Sequence, residues 1–222
     1  MIPWVIVDVE TAPGGTRLEL ARRGTEWEVR ADRATLMSNR AHGSEDALPQ
    51  LALREVPRAS RVLLGGLGLG YSLRATLDLL PAGGEVVVAE LSPSVVKWNR
   101  THLADLAGRP LDDPRVRLFE GDVRDRFRDR AAYDAILLDV DNGPGSLVHD
   151  SNAGLYTRAG VRAAFEALRA PGVLIVWSLT RGGPYLRRLR EAGFVASEHL
   201  VPARTGGRKK HVLLAGVKRS QS

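Results

Sequence analysis

The chain has no cysteine. Disulfides, thiolate metal centres and cysteine nucleophiles are thereby excluded, and the composition fits a reducing cytoplasm, which is the expected location. Long apolar runs are missing too, and none approaches the roughly 18 residues of a membrane span. The opening apolar run is broken by Asp8 and Glu10, with no basic stretch before it, so neither a secretory leader nor a membrane anchor is expected. Histidines number only five, and His102, His149, His199 and His211 show no ligand spacing, so no metal site is expected. Aromatic residues make up 5% of the chain. None is interleaved with the basic run near the C-terminus, Arg204, Arg208, Lys209, Lys210 and Lys218, where a nucleic-acid binder would place stacking rings.

What remains is ordinary globular composition: 222 residues, 44% hydrophobic and 26% charged. That length holds one α/β domain and a small appendage. The net charge of +6 and pI near 10.1 permit a polyanionic partner, but the excess arginine is scattered along helical stretches as solvated surface.

The organising stretch is 61–90. Val62, Leu63 and Leu64 end abruptly on glycines, as a buried parallel strand does on entering a tight turn. Leu73, Leu77 and Leu80 follow at helical spacing, and Val86, Val87, Val88 and Ala89 form a second buried strand closing on Glu90. This is one βαβ unit. Gly66, Gly68 and Gly70 leave room for a ligand at the N-terminus of the intervening helix, and an acid about 20 residues on suits ribose hydroxyls. The spacing is GxGxG, because Tyr71 stands where a dinucleotide fingerprint needs its third glycine. That form is typical of S-adenosylmethionine-dependent transferases.

Before this unit, 17–31 alternates apolar and polar residues on both sides of Gly24, which predicts a β-hairpin. Residues 34–45 show no period, and helical spacing begins at Glu45. The predicted division is a small β-rich element and linker over 1–52 and a nucleoside-binding domain over 53–222. After Glu90, a Ser92 cap and Pro93 open a helix reaching to about Leu106. Strands are expected at 116–119, 135–138 and 173–177, a helix over about 123–130, another capped by Thr157, a last one over 184–192, and two closing strands at 194–201 and 211–217. The expected fold is α/β, a doubly wound, Rossmann-like seven-stranded sheet ending in an antiparallel hairpin.

Successive strands end in the glycine turn, Glu90, Asp122 and Asp139, so their polar groups converge on one crevice beyond the strand ends. For each acid the alternative is a helix N-cap. The stretch from Asp139 to Tyr156 is poor in apolar residues and has the composition of a flap over the site. Asp139 could accept a proton from an amine nucleophile or hold that flap shut.

These residues resemble the polyamine aminopropyltransferases, the spermidine synthase family. The resemblance runs from about Arg61 to Trp177: the strand and glycine turn, Ser72-Leu73-Arg74, Glu90 with the following Ser-Pro-Ser-Val-Val, Gly121-Asp122, the strand ending in Asp139, Gly143-Pro144, and 155–176. It implies that Glu90, with the adjacent Leu91, holds ribose, that Asp122 and Val123 face adenine, and that Asp139 occupies the catalytic aspartate position beside the donor. The family's scaffold often forms homodimers.

Departures from the pattern matter. The family's glycine turn carries an acid for the donor's amino group, and Leu69 stands there. The second flap acid falls on Asn142, though Asp141 could substitute. The polyamine-holding Gln and Tyr have no clear counterparts among Leu36, Met37 and Leu48. The linker instead holds Ser38, Asn39, Arg40, His42, Ser44 and Glu45. If it lines the crevice, Arg40 suits an anionic group and His42 a general base. Arg40, Asp141, Asn142 and Tyr156 are the candidates for holding a small-molecule acceptor.

The leading expectation is therefore methyl transfer from S-adenosylmethionine on a spermidine synthase-like scaffold. Its rivals are aminopropyl transfer from decarboxylated S-adenosylmethionine, an RNA-modifying or nucleic-acid-binding protein, and a catalytically silent nucleoside-binding scaffold.

Overall fold

A computed structural model describes residues 2–12, 15–32, 34–40, 42–140, 150–204 and 207–220. The N-terminal element is an antiparallel sheet of β1 (Val5–Thr11), β2 (Arg17–Arg23), β3 (Glu26–Ala31) and β4 (Ala34–Ser38), in that order. It has twice the strands expected. β1 shows exposed apolar residues and β4 enters through a register shift, so neither carries the clean alternation that marks β2 and β3.

The second sheet contains β5 (Arg61–Gly65), β6 (Glu85–Glu90), β7 (Val116–Glu120), β8 (Tyr133–Leu138), β9 (Leu168–Ser178), β10 (Val195–Pro202) and β11 (Lys210–Lys218). Their order is β10-β11-β9-β8-β5-β6-β7, and β11 runs antiparallel to both its neighbours. The helices are α1 (Gly43–Glu55), α2 (Tyr71–Leu79), α3 (Pro93–Arg100), α4 (Val123–Arg126), α5 (Arg158–Ala167) and α6 (Gly183–Glu191). The doubly wound α/β expectation holds, and the reason is visible in the strands. Val62 and Leu64 point into the apolar layer beneath α1 and α2, whereas Leu63 points into the layer beneath α4 and α5. A strand buried on both faces must be apolar at every position.

A third apolar cluster joins the two sheets. Leu18, Leu20, Trp27 and Val29 pack on Leu69, Trp98 and Leu103. Trp98 is fully buried, and its indole N–H donates to Asp8 of β1 at 2.9 Å. Lys97 adds ion pairs to Asp8 and Glu10.

Several boundaries differ from expectation. α3 stops at Arg100 rather than near Leu106, and the chain continues in turns where the Thr101 hydroxyl donates to the Lys97 carbonyl at 2.8 Å. α4 spans one turn rather than two. α1 starts at Gly43 inside the stretch read as aperiodic, and the expected division at residue 52 falls within it. This helix packs on α2, β8 and β9, so it carries the linker onto the main sheet.

Candidate functional site

The glycine turn is built around close approaches. Gly66 has φ +91, and a Cβ there would lie 2.3 Å from the Asp139 carbonyl oxygen. Gly68 and Gly70 also have positive φ, and Gly70 precedes α2 as its N-cap. Only glycine serves at Gly66, because both the conformation and the space forbid a side chain. The turn is held from behind by Asn99 of α3, buried, whose amide donates to the Gly68 carbonyl at 2.9 Å. Asn99 lies one turn from Val96 on the inward face of its helix. A polar residue at a core position was the signal sequence reasoning passed over.

Glu90 closes β6 at the next strand end. Its Oε2 accepts from the Leu67 amide and its Oε1 from the Ser92 amide, both at 2.8 Å. Burial pushes its pKa up, and the surrounding amides of Leu67, Ser92, Gly68 and Leu91 partly offset this. Ser92 caps α3, as expected, so Glu90 is free of that task. Leu91 is exposed beside it, an uncovered apolar surface at the strand end.

Asp122 is the N-cap of α4: its carboxylate accepts from the Arg124 amide at 2.8 Å and pairs with the Arg124 guanidinium. Burial works upward on its pKa, but these hydrogen bonds hold it below the usual range. Val123 is buried against Gly65, with a methyl 3.0 Å from the position of a Cβ there.

Asp139 follows β8. Its amide donates to the Gly65 carbonyl at 2.9 Å and its carboxyl accepts from the Ser72 hydroxyl. Burial raises its pKa, and the Ser72 bond opposes the rise. Facing it is Glu45 in the first turn of α1, a linker residue to which sequence reasoning gave no role. Burial, then the nearby charge of Asp139, push Glu45 up to about 7. Glu45 and Asp139 are 94 positions apart, so only the fold reveals the pair.

The linker does fold over the glycine turn. His42 stacks on Tyr71 with ring centroids 4.1 Å apart, and Met37 sulfur lies 3.7 Å from where a Gly68 Cβ would stand. His42 Nδ1 lies 3.1 Å from Asp46. Arg40 is exposed and pairs with Glu26 of β3 at 3.7 Å, on the side of the N-terminal sheet. Tyr156 is buried, edge-on to Tyr185, and its hydroxyl donates to the Val140 carbonyl at 3.3 Å, next to Asp139. Asp141 and Asn142, with most of the flap, lie outside the described residues. Leu69 is only 6% exposed and points into the cluster with Trp98 and Leu103, serving the joint between the sheets.

No protein-family model matches the sequence. A polyamine aminopropyltransferase of Korarchaeum cryptofilum is 29% identical over 134 residues, 60% of this chain and 40% of that protein. Another, from Mycobacterium tuberculosis, is 26% identical over 204 residues, 85% of this chain and 37% of its own. Polyamine aminopropyltransferase 2 of Caldanaerobacter subterraneus is 34% identical over 119 residues, 50% of this chain and 39% of its own. Among solved structures, spermidine synthase from Thermotoga maritima superposes with a TM-score of 0.77 at 17% identity, covering 98% of this chain and 74% of that one. Spermidine synthase in complex with the transition state analogue AdoDATO gives 0.76 at 17% identity, covering 96% of this chain and 72% of that one.

The chain is spermidine synthase-like. It shares that fold and is related in sequence to the aminopropyltransferases, and it spans about two fifths of the length of the curated relatives it matches. The relatives are named for aminopropyl transfer, whereas the leading expectation from sequence is methyl transfer. Leu69, which stands where the family's turn carries an acid, is buried in a packing role, and a different carboxyl, Glu45, lies beside Asp139 at the crevice. Among the described residues no helix is long and apolar enough to cross a membrane.

Proposed function

We propose that this chain transfers an aminopropyl group from decarboxylated S-adenosylmethionine to a small-molecule primary amine. The observation that carries the reading is the pair of carboxyls, Asp139 and Glu45, desolvated at the end of β8 beside the glycine turn. Fixed anions suit ammonium groups that must shed their water, and they repel a donor that keeps its own carboxylate. The names of the curated relatives support the same choice.

In this reading the nucleoside lies over Gly66, Gly68 and Gly70, with its ribose at Glu90 and its adenine near Leu91, Asp122 and Val123. Asp139 holds the acceptor nitrogen in line with the carbon beside the sulfonium. Alignment supplies much of the rate, since the sulfonium is already a good leaving group. The amine must be neutral to attack, so a carboxylate has to take its proton. Tyr156 supports this end of the site through the Val140 carbonyl.

The test is incubation of the purified chain with decarboxylated S-adenosylmethionine and a panel of diamines, read by mass spectrometry. The reading requires a product heavier by one aminopropyl unit together with methylthioadenosine. Methylated product formed from S-adenosylmethionine, with no aminopropyl product, would overturn it.

A further inference from the structure

Register sets a second feature of the crevice. Leu138 pairs with Val176 and Trp177 pairs with Leu213, so Asp139, Trp177 and His211 sit near one another at the ends of β8, β9 and β11. Ala135, Leu137, Val173, Ile175, Leu213 and Ala215 all face the layer beneath α1. Alternation puts Asp139, Trp177 and His211 on that same face. The first turn of α1 lies over them, anchored where the Gly43 amide donates to the Ala203 carbonyl at 3.0 Å.

Ser44, fully buried in that turn, bridges the two sides. Its hydroxyl donates to Glu45 Oε2 at 2.5 Å and lies 2.9 Å from His211 Nδ1. A hydroxyl has one proton, so with Glu45 ionised the His211 Nδ1–H must be the donor to Ser44. His211 is 8% exposed, edge-on to Trp177, and its Nε2 has no partner among the described residues. Burial, with the charge of Lys209, lowers its pKa, so it is the neutral imidazole that holds Ser44. This chain of bonds crosses 167 positions of sequence and ends on Glu45, the carboxyl beside Asp139. A buried serine and histidine joined in this way orient what they touch.

We infer that Glu45 is the second catalytic carboxyl, taking the acceptor amine's proton while Asp139 aligns the nitrogen, and that Ser44 and His211 are its positioning residues. The inference rests on the aminopropyl-transfer reading. The acceptor's ammonium gives one proton to the Glu45 carboxylate. The freed lone pair forms the new N–C bond at the carbon beside the sulfonium, and the C–S bond breaks with its electrons going to sulfur. The products are a secondary ammonium and the neutral thioether, and Glu45 returns its proton to water. The charged and titratable groups around Glu45 are Asp46 on its own helix, Asp139 beyond β8, Tyr71 at the start of α2 and, through Ser44, His211 with Lys209.

The experiment compares wild type with Glu45→Gln, Ser44→Ala and His211→Gln, measuring kcat and KM across pH and methylthioadenosine binding by calorimetry. Glu45→Gln should lower kcat about 100-fold, in the range of a lost general base, and remove the Glu45 ionisation from the acid limb of the pH profile, leaving that of Asp139. Ser44→Ala and His211→Gln should lower kcat about 10-fold and move that limb, while the KM for the donor and methylthioadenosine binding stay unchanged. Wild-type kcat and an unmoved acid limb in a folded Glu45→Gln protein would overturn the inference and leave the transfer reading standing. Wild-type protein that transfers nothing to any amine would overturn the transfer reading itself, and the role of Glu45 with it.

Discussion

The hydroxyl of Ser72 donates to Oδ2 of Asp139, tying the first turn of α2 to the end of β8 across the glycine turn. That bond opposes the rise in pKa that burial imposes on Asp139. Ser72→Ala should therefore push Asp139 higher still, so the ionised form appears only at higher pH and the acid limb of kcat moves up. Asp139→Asn, which cannot ionise, should lower kcat about 100-fold or more at every pH, with methylthioadenosine still bound. A pH–rate series on the two variants checks both.

Glu45 makes a stability prediction as well. Its folded pKa is about 7, above the ordinary 4.5, so the folded state holds the proton more tightly than the unfolded one. Between those two values stability falls as pH rises, and above about 7 the ionised carboxyl is a standing cost. Glu45→Gln removes the cost. Its melting temperature relative to wild type should climb from pH 5 to pH 8, by differential scanning calorimetry, and a constant difference would contradict the assigned burial.

Leu69 separates a packing role from a binding role. An aspartate there restores the acid found in the family's turn, but it would sit among Trp98, Leu103 and Leu18. Leu69→Asp should cost about 3 kcal/mol or more, as a carboxyl in an apolar site does, without improving affinity for decarboxylated S-adenosylmethionine. Urea unfolding and calorimetric titration of the same sample read the two effects.

The turn itself gives a matched pair. At Gly66, φ is +91 and a Cβ would meet the Asp139 carbonyl oxygen at 2.3 Å, whereas nothing lies within 4 Å of a Cβ at Gly83. Gly66→Ala should lower stability by more than about 2 kcal/mol and abolish donor binding, and Gly83→Ala should do neither.

Much of this was readable in sequence because it is local or repeated. Val62 to Leu64 stopping on glycines, and strands ending in Glu90 and Asp139, announce a parallel sheet and its crevice without any knowledge of contacts. Asp122 was legible only as ligand or cap, and the structure shows the cap, made to the Arg124 amide at the strand end where a ligand would also lie. The unread features depend on the third dimension. The pairing of Glu45 with Asp139 emerges only when α1 is laid over β8, and Asn99 matters only because α3 runs behind Gly68. β1 carries exposed apolar residues, since it is the edge of a four-stranded sheet, so its pattern names no buried face.

The central claim is that the crevice accepts a donor lacking the carboxylate. Calorimetric titration of the purified chain with decarboxylated S-adenosylmethionine and with S-adenosylmethionine tests it most directly. Asp139 and Glu45 predict tighter binding of the decarboxylated form, by about 10-fold or more, narrowing below pH 7 as Glu45 takes up its proton. Tighter binding of S-adenosylmethionine would contradict the account and return the chain to methyl transfer.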